Sequence, residues 1–328
     1  MTLPAGVGTG VGSLPGTDPA EAAAIVAGEL GLPHLPELPD RGLGADPIGR
    51  TAALLVDVPV DHVHRAYRLA TSPTTVGRRA RDFLRWDLDA LEEHWERHDL
   101  RGRVPAIKVQ ACGPFTFAAN AELRGGHKII RDRGAVRDIA DSLAAGLIEH
   151  VADIERRLGA PAVVQLDETA IGAVLDGTVT PLTRLDPIAP IAAPDLAQTL
   201  ESIAGQIGRP MILRAERRWD LLSRLDSYAV AVDLTTVTTA DYDPLGQHLD
   251  AGRALIAGVV PTADPGVDPD RLADDLSGRL AGLIDRIGLP RSVQAGLLLV
   301  APVDGLAGAA PRWARTALAV ASRVAGAF

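Results

Sequence analysis

Two adjacent carboxylates follow the most apolar short run of the sequence. Asp167 and Glu168 come directly after residues 162–166, which read AVVQL and predict a buried strand. A carboxylate at the end of a buried strand can hold an amine or a guanidinium, or can transfer a proton, because burial shifts its pKa. We therefore predict Asp167 and Glu168 as catalytic residues. The alternative is a structural salt bridge to a neighbouring arginine.

A glycine-rich segment near the amino end is the second candidate for chemistry. Residues 6–13 read GVGTGVGS, but no register gives G-x-G-x-x-G and no G-K-[ST] follows, so nucleotide binding is not predicted. The backbone amides of Gly12 and Ser13 could instead hold a carboxylate group. A tight turn with no ligand is the alternative.

Composition restricts the classes of function. The chain has 328 residues, a net charge of −9 and 3% aromatic residues, which argues against binding to nucleic acid or to an anionic membrane. The single cysteine, Cys112, excludes a disulfide within the chain and any zinc site that needs two or more cysteines. The first basic residue is Arg41, and no apolar run approaches the roughly 20 residues of a membrane span. We predict a cytoplasmic protein whose partner is a small molecule.

Eight short apolar runs, most of them followed by a helical pattern, indicate the fold. The predicted strands are residues 7–13, 32–38, 104–111, 162–166, 210–213, 228–234, 254–260 and 296–300. The predicted helices are residues 20–30, 76–99, 135–158, 195–207, 270–287 and 311–324. This alternation predicts one α/β domain over residues 1–328, a (β/α)8 TIM barrel, in preference to an open doubly wound sheet. Residues 39–73 are predicted to be a loop-and-helix excursion over one barrel end.

The carboxyl ends of the strands in such a barrel meet at one rim, where functional side chains gather. The residues predicted at this rim are Gly12, Ser13, Glu37, Gly113, Pro114, Asp167, Glu168, Arg214, Asp233, Pro261, Thr262 and Asp304.

Four segments near these strand ends carry a family resemblance. They read VGSLP at 11–15, VQACGPFTFA at 109–118, VQLDETA at 164–170 and DGLAGAAPRWAR at 304–315. Together they resemble the catalytic barrel of cobalamin-independent methionine synthases, in particular the single-barrel versions, and more broadly the barrel shared with uroporphyrinogen decarboxylase. The resemblance implies methyl transfer from a methylated folate or another donor to the thiol of homocysteine, which zinc holds as the thiolate.

The resemblance also implies which residues hold the amino acid. The backbone of Val11, Gly12 and Ser13 would bind its carboxylate, and Glu37 and Asp167 would bind its ammonium group. The resemblance also places Asn120 of this chain near the position of a tryptophan in the family's folate site.

The zinc that the family uses has no matching ligands in this sequence. The positions of its histidine, cysteine and glutamate ligands carry Ile212, Arg214, Asp233 and Asp304. Zinc needs soft sulfur ligands to keep a bound thiolate nucleophilic. We therefore predict no metal ligand. We expect Arg214 to be a substrate-binding residue and to neutralise Asp233 and Asp304 with the positive charge that zinc would have supplied.

Three functions remain open. The first is methyl transfer of the methionine synthase type, and the second is a non-catalytic barrel that binds an amino acid or another small molecule. The third is a metal-free decarboxylase-like enzyme that uses Asp167 and an arginine. Arg41 and Arg50 are the candidates for binding substrate carboxylates at its amino-terminal mouth.

Overall fold

A curled parallel sheet is the centre of the molecule. The computed structural model describes residues 3–183, 185–288 and 296–328. Its strands are β1 (Val7–Gly8), β2 (Val60–Val63), β3 (Ala66–Leu69), β4 (Ile107–Cys112), β5 (Ala162–Glu168), β6 (Met211–Ala215), β7 (Tyr228–Asp233), β8 (Leu255–Val260) and β9 (Leu298–Pro302). Seven of them form one sheet in the order β1-β9-β8-β7-β6-β5-β4, with all neighbours parallel. Their carboxyl ends therefore lie along one rim.

Helices cover the outer face of this sheet. They are α1 (Pro19–Glu29), α2 (Pro47–Leu54), α3 (Thr75–Arg97), α4 (Pro114–Asn120), α5 (Arg133–Leu158), α6 (Ile171–Asp176), α7 (Ala193–Ile207), α8 (Trp219–Leu222), α9 (Tyr242–Asp250), α10 (Pro269–Ile287) and α11 (Pro311–Ala325). The six predicted helices are confirmed, with ends within about two residues of those expected. The sequence pattern does not predict α4, α6, α8 and α9, which are too short to show a helical period.

Side chains alternate between the two faces of each strand. On β5, Gln165 and Asp167 share the inner face with Val163, whereas Leu166 and Glu168 face the helices. The inner face holds a small apolar cluster made of Leu32, Ala106, Val163, Ile212, Ala229, Ile256, Leu299 and Ala301. The much larger outer cluster contains the apolar sides of the helices. This alternation decides which strand residues can reach the rim from inside the sheet.

The second predicted strand is a correction. Residues 32–38 form no continuous ladder; isolated parallel bridges join Leu32 to Thr9, His34 to Lys108 and Glu37 to Ser13. Pro33 and Pro36 interrupt the segment because proline has no backbone N–H to donate to a neighbouring strand. The segment therefore lies between the two edges of the seven-stranded sheet without being a regular strand.

The excursion over residues 39–73 is more ordered than the sequence predicts. It contains a 3-10 turn at Pro39–Arg41, then α2, then an antiparallel hairpin formed by β2 and β3. The hairpin was not expected. Within the described ranges, no helix combines the length and the apolar composition that crossing a membrane requires.

Candidate functional site

An ion pair between neighbouring strands lies at the rim. Asp167 of β5 is directly opposite Arg214 of β6, so both side chains leave the sheet on the same face. The Nε atom of Arg214 lies 3.2 Å from Oδ1 of Asp167, and its Nη1 atom lies 3.2 Å from Oδ1 of Asp304. Burial opposes the charge on Arg214, but the two carboxylates outweigh it and raise the pKa of the guanidinium. Arg214 is therefore a fixed cation between two anions.

Asp233 does not take the role predicted for it. Its Oδ1 accepts hydrogen bonds from the backbone N–H of Thr235 at 2.8 Å and from the Thr235 hydroxyl at 2.6 Å. Because Thr235 lies two residues after Asp233, these local hydrogen bonds form in place of an ion pair with Arg214. Arg214 thus pairs with Asp304 as expected, but its second partner is Asp167 and not Asp233.

A cavity of about 270 Å³ opens beside this ion pair. Its lining includes Val11, Gln165, Arg214, Asp233 and Asp304. Of the residues predicted at the rim, Arg214, Asp233 and Asp304 line this cavity, and Asp167 contacts it through Arg214.

The glycine-rich segment forms a cradle, defined as Val11, Gly12 and Ser13, with its carbonyls turned into the protein. The carbonyl of Gly12 accepts from the backbone N–H of Glu37 at 3.1 Å and lies 3.1 Å from Nε2 of His34. The carbonyl of Ser13 accepts from the N–H of Leu306 at 2.9 Å. The three cradle amides donate to no acceptor in the part of the chain that the structure describes. They are available to an anionic group.

Two glycines permit this arrangement. Gly12 has a φ of +155°, which residues with a side chain rarely adopt. A Cβ on Gly10 would lie 2.3 Å from Cε1 of His34, so the ring of His34 fills the space that a side chain would need. The close approach of backbone to histidine explains the glycine-rich sequence better than a nucleotide site does.

Glu37 is the acidic residue beside the cradle. It is 7% exposed and bridges Ser13 in parallel register. Burial raises the pKa of its carboxyl, and the guanidinium of Arg50, whose Nε lies 3.7 Å from Oε1 of Glu37, partly opposes that rise. The negative charge of Asp167 also raises the pKa of Glu37, so the two carboxylates are close enough to repel each other.

The arginines proposed for a decarboxylase-like mouth are already paired. Asp87 of α3 accepts from Nη2 of Arg41 at 2.7 Å and forms a shorter contact with Nη1 of Arg50. All three side chains are buried. Because both guanidiniums are bound to a protein carboxylate, they are poorly placed to bind the carboxylates of a substrate. The geometry therefore weighs against the third function.

Glu168 is turned away from the cavity. It is fully buried on the outer face of β5 and accepts from the N–H groups of Phe115 and Thr116 at 3.0 and 2.7 Å, and from the Thr116 hydroxyl at 2.8 Å. Burial raises the pKa of its carboxyl to about 7 against these hydrogen bonds. The contacts cap the first turn of α4. This placement does not fit the catalytic role predicted for Glu168.

Three buried polar residues at this site were missed by the sequence prediction. Lys108 and Gln165 lie on the inner faces of β4 and β5, and His34 lies beneath the cradle. Burial lowers the pKa of Lys108 to about 7, although Asp167 and Glu37 oppose the change. A signal was present: the strands read IKVQAC and AVVQLDE, with polar residues at alternate positions in otherwise apolar runs.

No metal centre is found among the described residues. No group of three histidine, cysteine, aspartate or glutamate side chains is close enough to hold an ion there. Cys112 is buried on β4, opposite Asp167, and burial raises the pKa of its thiol. Ile212 lies in the apolar inner cluster.

Comparison with known proteins identifies the same family that the sequence motifs resemble. The family model described as "Cobalamin-independent synthase, Catalytic domain" matches residues 7–327. A B12-independent methionine synthase from Shewanella sp. W3-18-1, solved in complex with selenomethionine, has a TM-score of 0.50 at 12% identity, over 79% of this chain and 69% of that one. A methyltransferase from Methanosarcina mazei has a TM-score of 0.55 at 13% identity, over 94% and 85%. No curated protein matches the sequence.

Proposed function

The chain belongs to the family of cobalamin-independent synthase catalytic domains, and we propose that its rim binds a small amino acid of the methionine and homocysteine type without a zinc ion. One observation carries the proposal: the cradle, whose three amides have no acceptor among the described residues, bridges Glu37 and is linked through Gln165 to Asp167. An α-amino acid presents a carboxylate and an ammonium group next to each other, and this arrangement complements both charges. The solved Shewanella relative was captured with selenomethionine, an amino acid of this type.

The two charged groups of the ligand have separate partners. The amides of Val11, Gly12 and Ser13 have no acceptor among the described residues and would donate to the carboxylate. The ammonium group would lie between Glu37 and Asp167. Oδ1 of Asp167 is taken by Gln165 and Arg214, whereas Oδ2 has no partner among the described residues and remains open to the ligand.

The family's zinc does not fit the residues present. The corresponding positions hold Ile212, Arg214, Asp233 and Asp304, which supply no thiolate and no imidazole. The guanidinium of Arg214 lies between Asp167 and Asp304 and already neutralises part of their charge. A dication beside this guanidinium would be repelled by it. We propose that the zinc site is degenerate and that Arg214 supplies the positive charge at this rim.

Methyl transfer to the thiol of homocysteine is the second candidate. Family membership favours it, since the matching family model describes a catalytic domain. The donor would be a methylated folate or another methylated compound. Without zinc the thiol would have to be activated by the protein alone, so we rank binding ahead of transfer.

We also propose the closed barrel, the single domain and the cytoplasmic location that the sequence predicts. Residues 32–38 would act as the eighth strand that closes a (β/α)8 barrel, because their bridges reach both Thr9 and Lys108. One catalytic-barrel domain would span residues 1–328; the family match over residues 7–327 supports this proposal. A cytoplasmic location stays a prediction from the cysteine content.

Titration calorimetry tests the function. We expect L-methionine or L-homocysteine to bind the purified protein, and their analogues without the amino group to bind at least tenfold more weakly. Glu37→Gln should lower the affinity, whereas Glu122→Gln, which alters an ion pair with Arg68 in the hairpin, should not. Absence of binding by every amino acid tried would reject the proposal. Elemental analysis that finds one zinc per chain would reject its metal-free part and revive methyl transfer.

A further inference from the structure

A buried lysine connects the two halves of the candidate site. Lys108 is fully buried on β4, and its Nζ atom donates to the carbonyl of Val11 at 3.0 Å and to Oε1 of Gln165 at 2.6 Å. Lysine is almost never buried to this degree unless its ammonium group is bound by acceptors. The first acceptor belongs to the cradle, and the second leads to Asp167.

Gln165 has its orientation fixed by this contact. A glutamine amide has one acceptor end and one donor end. Because Oε1 faces the ammonium group of Lys108, Nε2 must face the other way, where it donates to the Val11 carbonyl at 2.9 Å and to Oδ1 of Asp167 at 2.8 Å. Lys108 thus determines which atom of Gln165 meets Asp167.

The same contacts set the direction of the cradle. The Val11 carbonyl receives two buried donors, Lys108 and Gln165, and this holds it toward the protein interior. In a trans peptide the N–H points opposite to the carbonyl, so this turns the N–H of Gly12 away from Lys108 and Gln165. Without these donors the Val11 carbonyl would lose both of its partners among the described residues, and the peptide plane would no longer be held in this orientation.

We propose that Lys108 is a positioning residue that sets both halves of the amino-acid site, holding the cradle through the Val11 carbonyl and holding Asp167 through Gln165. The inference rests on the proposed amino-acid binding. It adds a buried residue that does not touch the ligand but places the groups that do. Its positive charge also lies near Glu37 and Asp167, the two carboxylates that would hold the ammonium group.

Two variants separate positioning from a purely structural role. Gln165→Glu keeps the side-chain volume and gives Lys108 an ion-pair partner, but it removes the donor to Val11 and places a carboxylate against Asp167. The double variant Lys108→Met with Gln165→Leu removes the buried charge together with its partner, which such a core tolerates well. Lys128→Met makes the same change as Lys108→Met at the other lysine of the chain, which donates to the carbonyl of Asn120.

Titration with L-methionine and a crystal structure of each variant complete the test. We expect at least a tenfold loss of affinity in Gln165→Glu and in the double variant, with unfolding midpoints close to that of the unmodified protein, and no change in Lys128→Met. Wild-type affinity in a folded double variant would overturn the proposal. If the unmodified protein binds no amino acid, the proposed function fails, but the positioning role is still decided by the crystal structures. It requires a displaced Val11 peptide and Asp167 carboxylate, and unmoved groups would refute it.

Discussion

Replacement of Arg214 by methionine should remove the cation at the rim while keeping most of the side-chain volume. Asp167 would then retain only Gln165 as a hydrogen-bond donor among its present partners, although its side chain is just 15% exposed. Breaking a buried ion pair from one side costs about 3 to 5 kcal/mol, because the remaining charge is left without its partner. The side chain of Arg214 is 22% exposed, so the lower end, about 3 kcal/mol, applies.

The pair with Asp304 adds little to this value. Its side chain is 67% exposed, and exposed pairs contribute about 0 to 1 kcal/mol. For a chain of this length, 1 kcal/mol corresponds to roughly 1.5 °C in the unfolding midpoint. The Arg214→Met protein should therefore melt about 4 °C below the unmodified one. Adding Asp167→Asn to the variant should recover most of this loss, because the uncompensated charge is then gone.

Differential scanning calorimetry at neutral pH measures both effects. Arg97→Met is the matched control, because Arg97 pairs with Glu93 on the exposed face of α3 and its loss should shift the midpoint by less than about 1 °C. If Arg214→Met melts with the unmodified protein, or if Asp167→Asn lowers the midpoint of the variant still further, the ion pair does not hold the rim together.

Other changes test separate parts of the structure. Because burial raises the pKa of Glu168 to about 7 from 4.5, the folded protein binds a proton more tightly than the unfolded chain, so the free energy of unfolding should fall by about 3 kcal/mol between pH 4.5 and 7. Glu168→Gln should lack this fall in denaturant titrations, and an identical slope would contradict the raised pKa. Gly10→Ala should weaken amino-acid binding by more than tenfold in calorimetry, since the new Cβ meets the ring of His34 at 2.3 Å; Gly28→Ala, in open space on α1, should bind normally. The buried Cys112 thiol, with its pKa raised by burial, should react with a disulfide reagent only after denaturation, and rapid labelling of the folded protein would show an open site.

The parts of the fold that sequence reasoning predicted correctly are those that local chemistry determines. Asp18 caps α1 by accepting from the N–H of Ala20, as the Asp-Pro start of that helix suggests. The run before Asp167 is a buried strand, because a continuous apolar stretch of that length fits a parallel sheet covered on its outer face. The convergence of Asp167, Arg214 and Asp304 follows from parallel strands having their carboxyl ends on one side.

The site predictions are wrong or incomplete where a competing local contact, or a single backbone atom, determines the orientation of a side chain. Asp233 was expected to face Arg214, but Thr235 offers it two donors within its own turn. Glu168 was paired with Asp167 because the two are adjacent, although adjacent residues of a strand point to opposite faces. The role of Lys108 depends on its hydrogen bond to the Val11 carbonyl, which lies 97 residues away in the sequence. The residue pattern within one strand cannot predict a contact with so distant a segment.

The interrupted segment at residues 32–38 has a consequence for how the molecule opens. Elsewhere the sheet is joined by continuous ladders, but between β1 and β4 it relies on single bridges at Leu32, His34 and Glu37. Isolated bridges are less cooperative than a continuous ladder, so we expect transient opening of the sheet to begin at this seam, with faster hydrogen exchange there than in strands β5 to β8. The seam carries His34 and Glu37, so the side of the site that contacts the cradle would loosen before the side that carries Asp167 and Arg214.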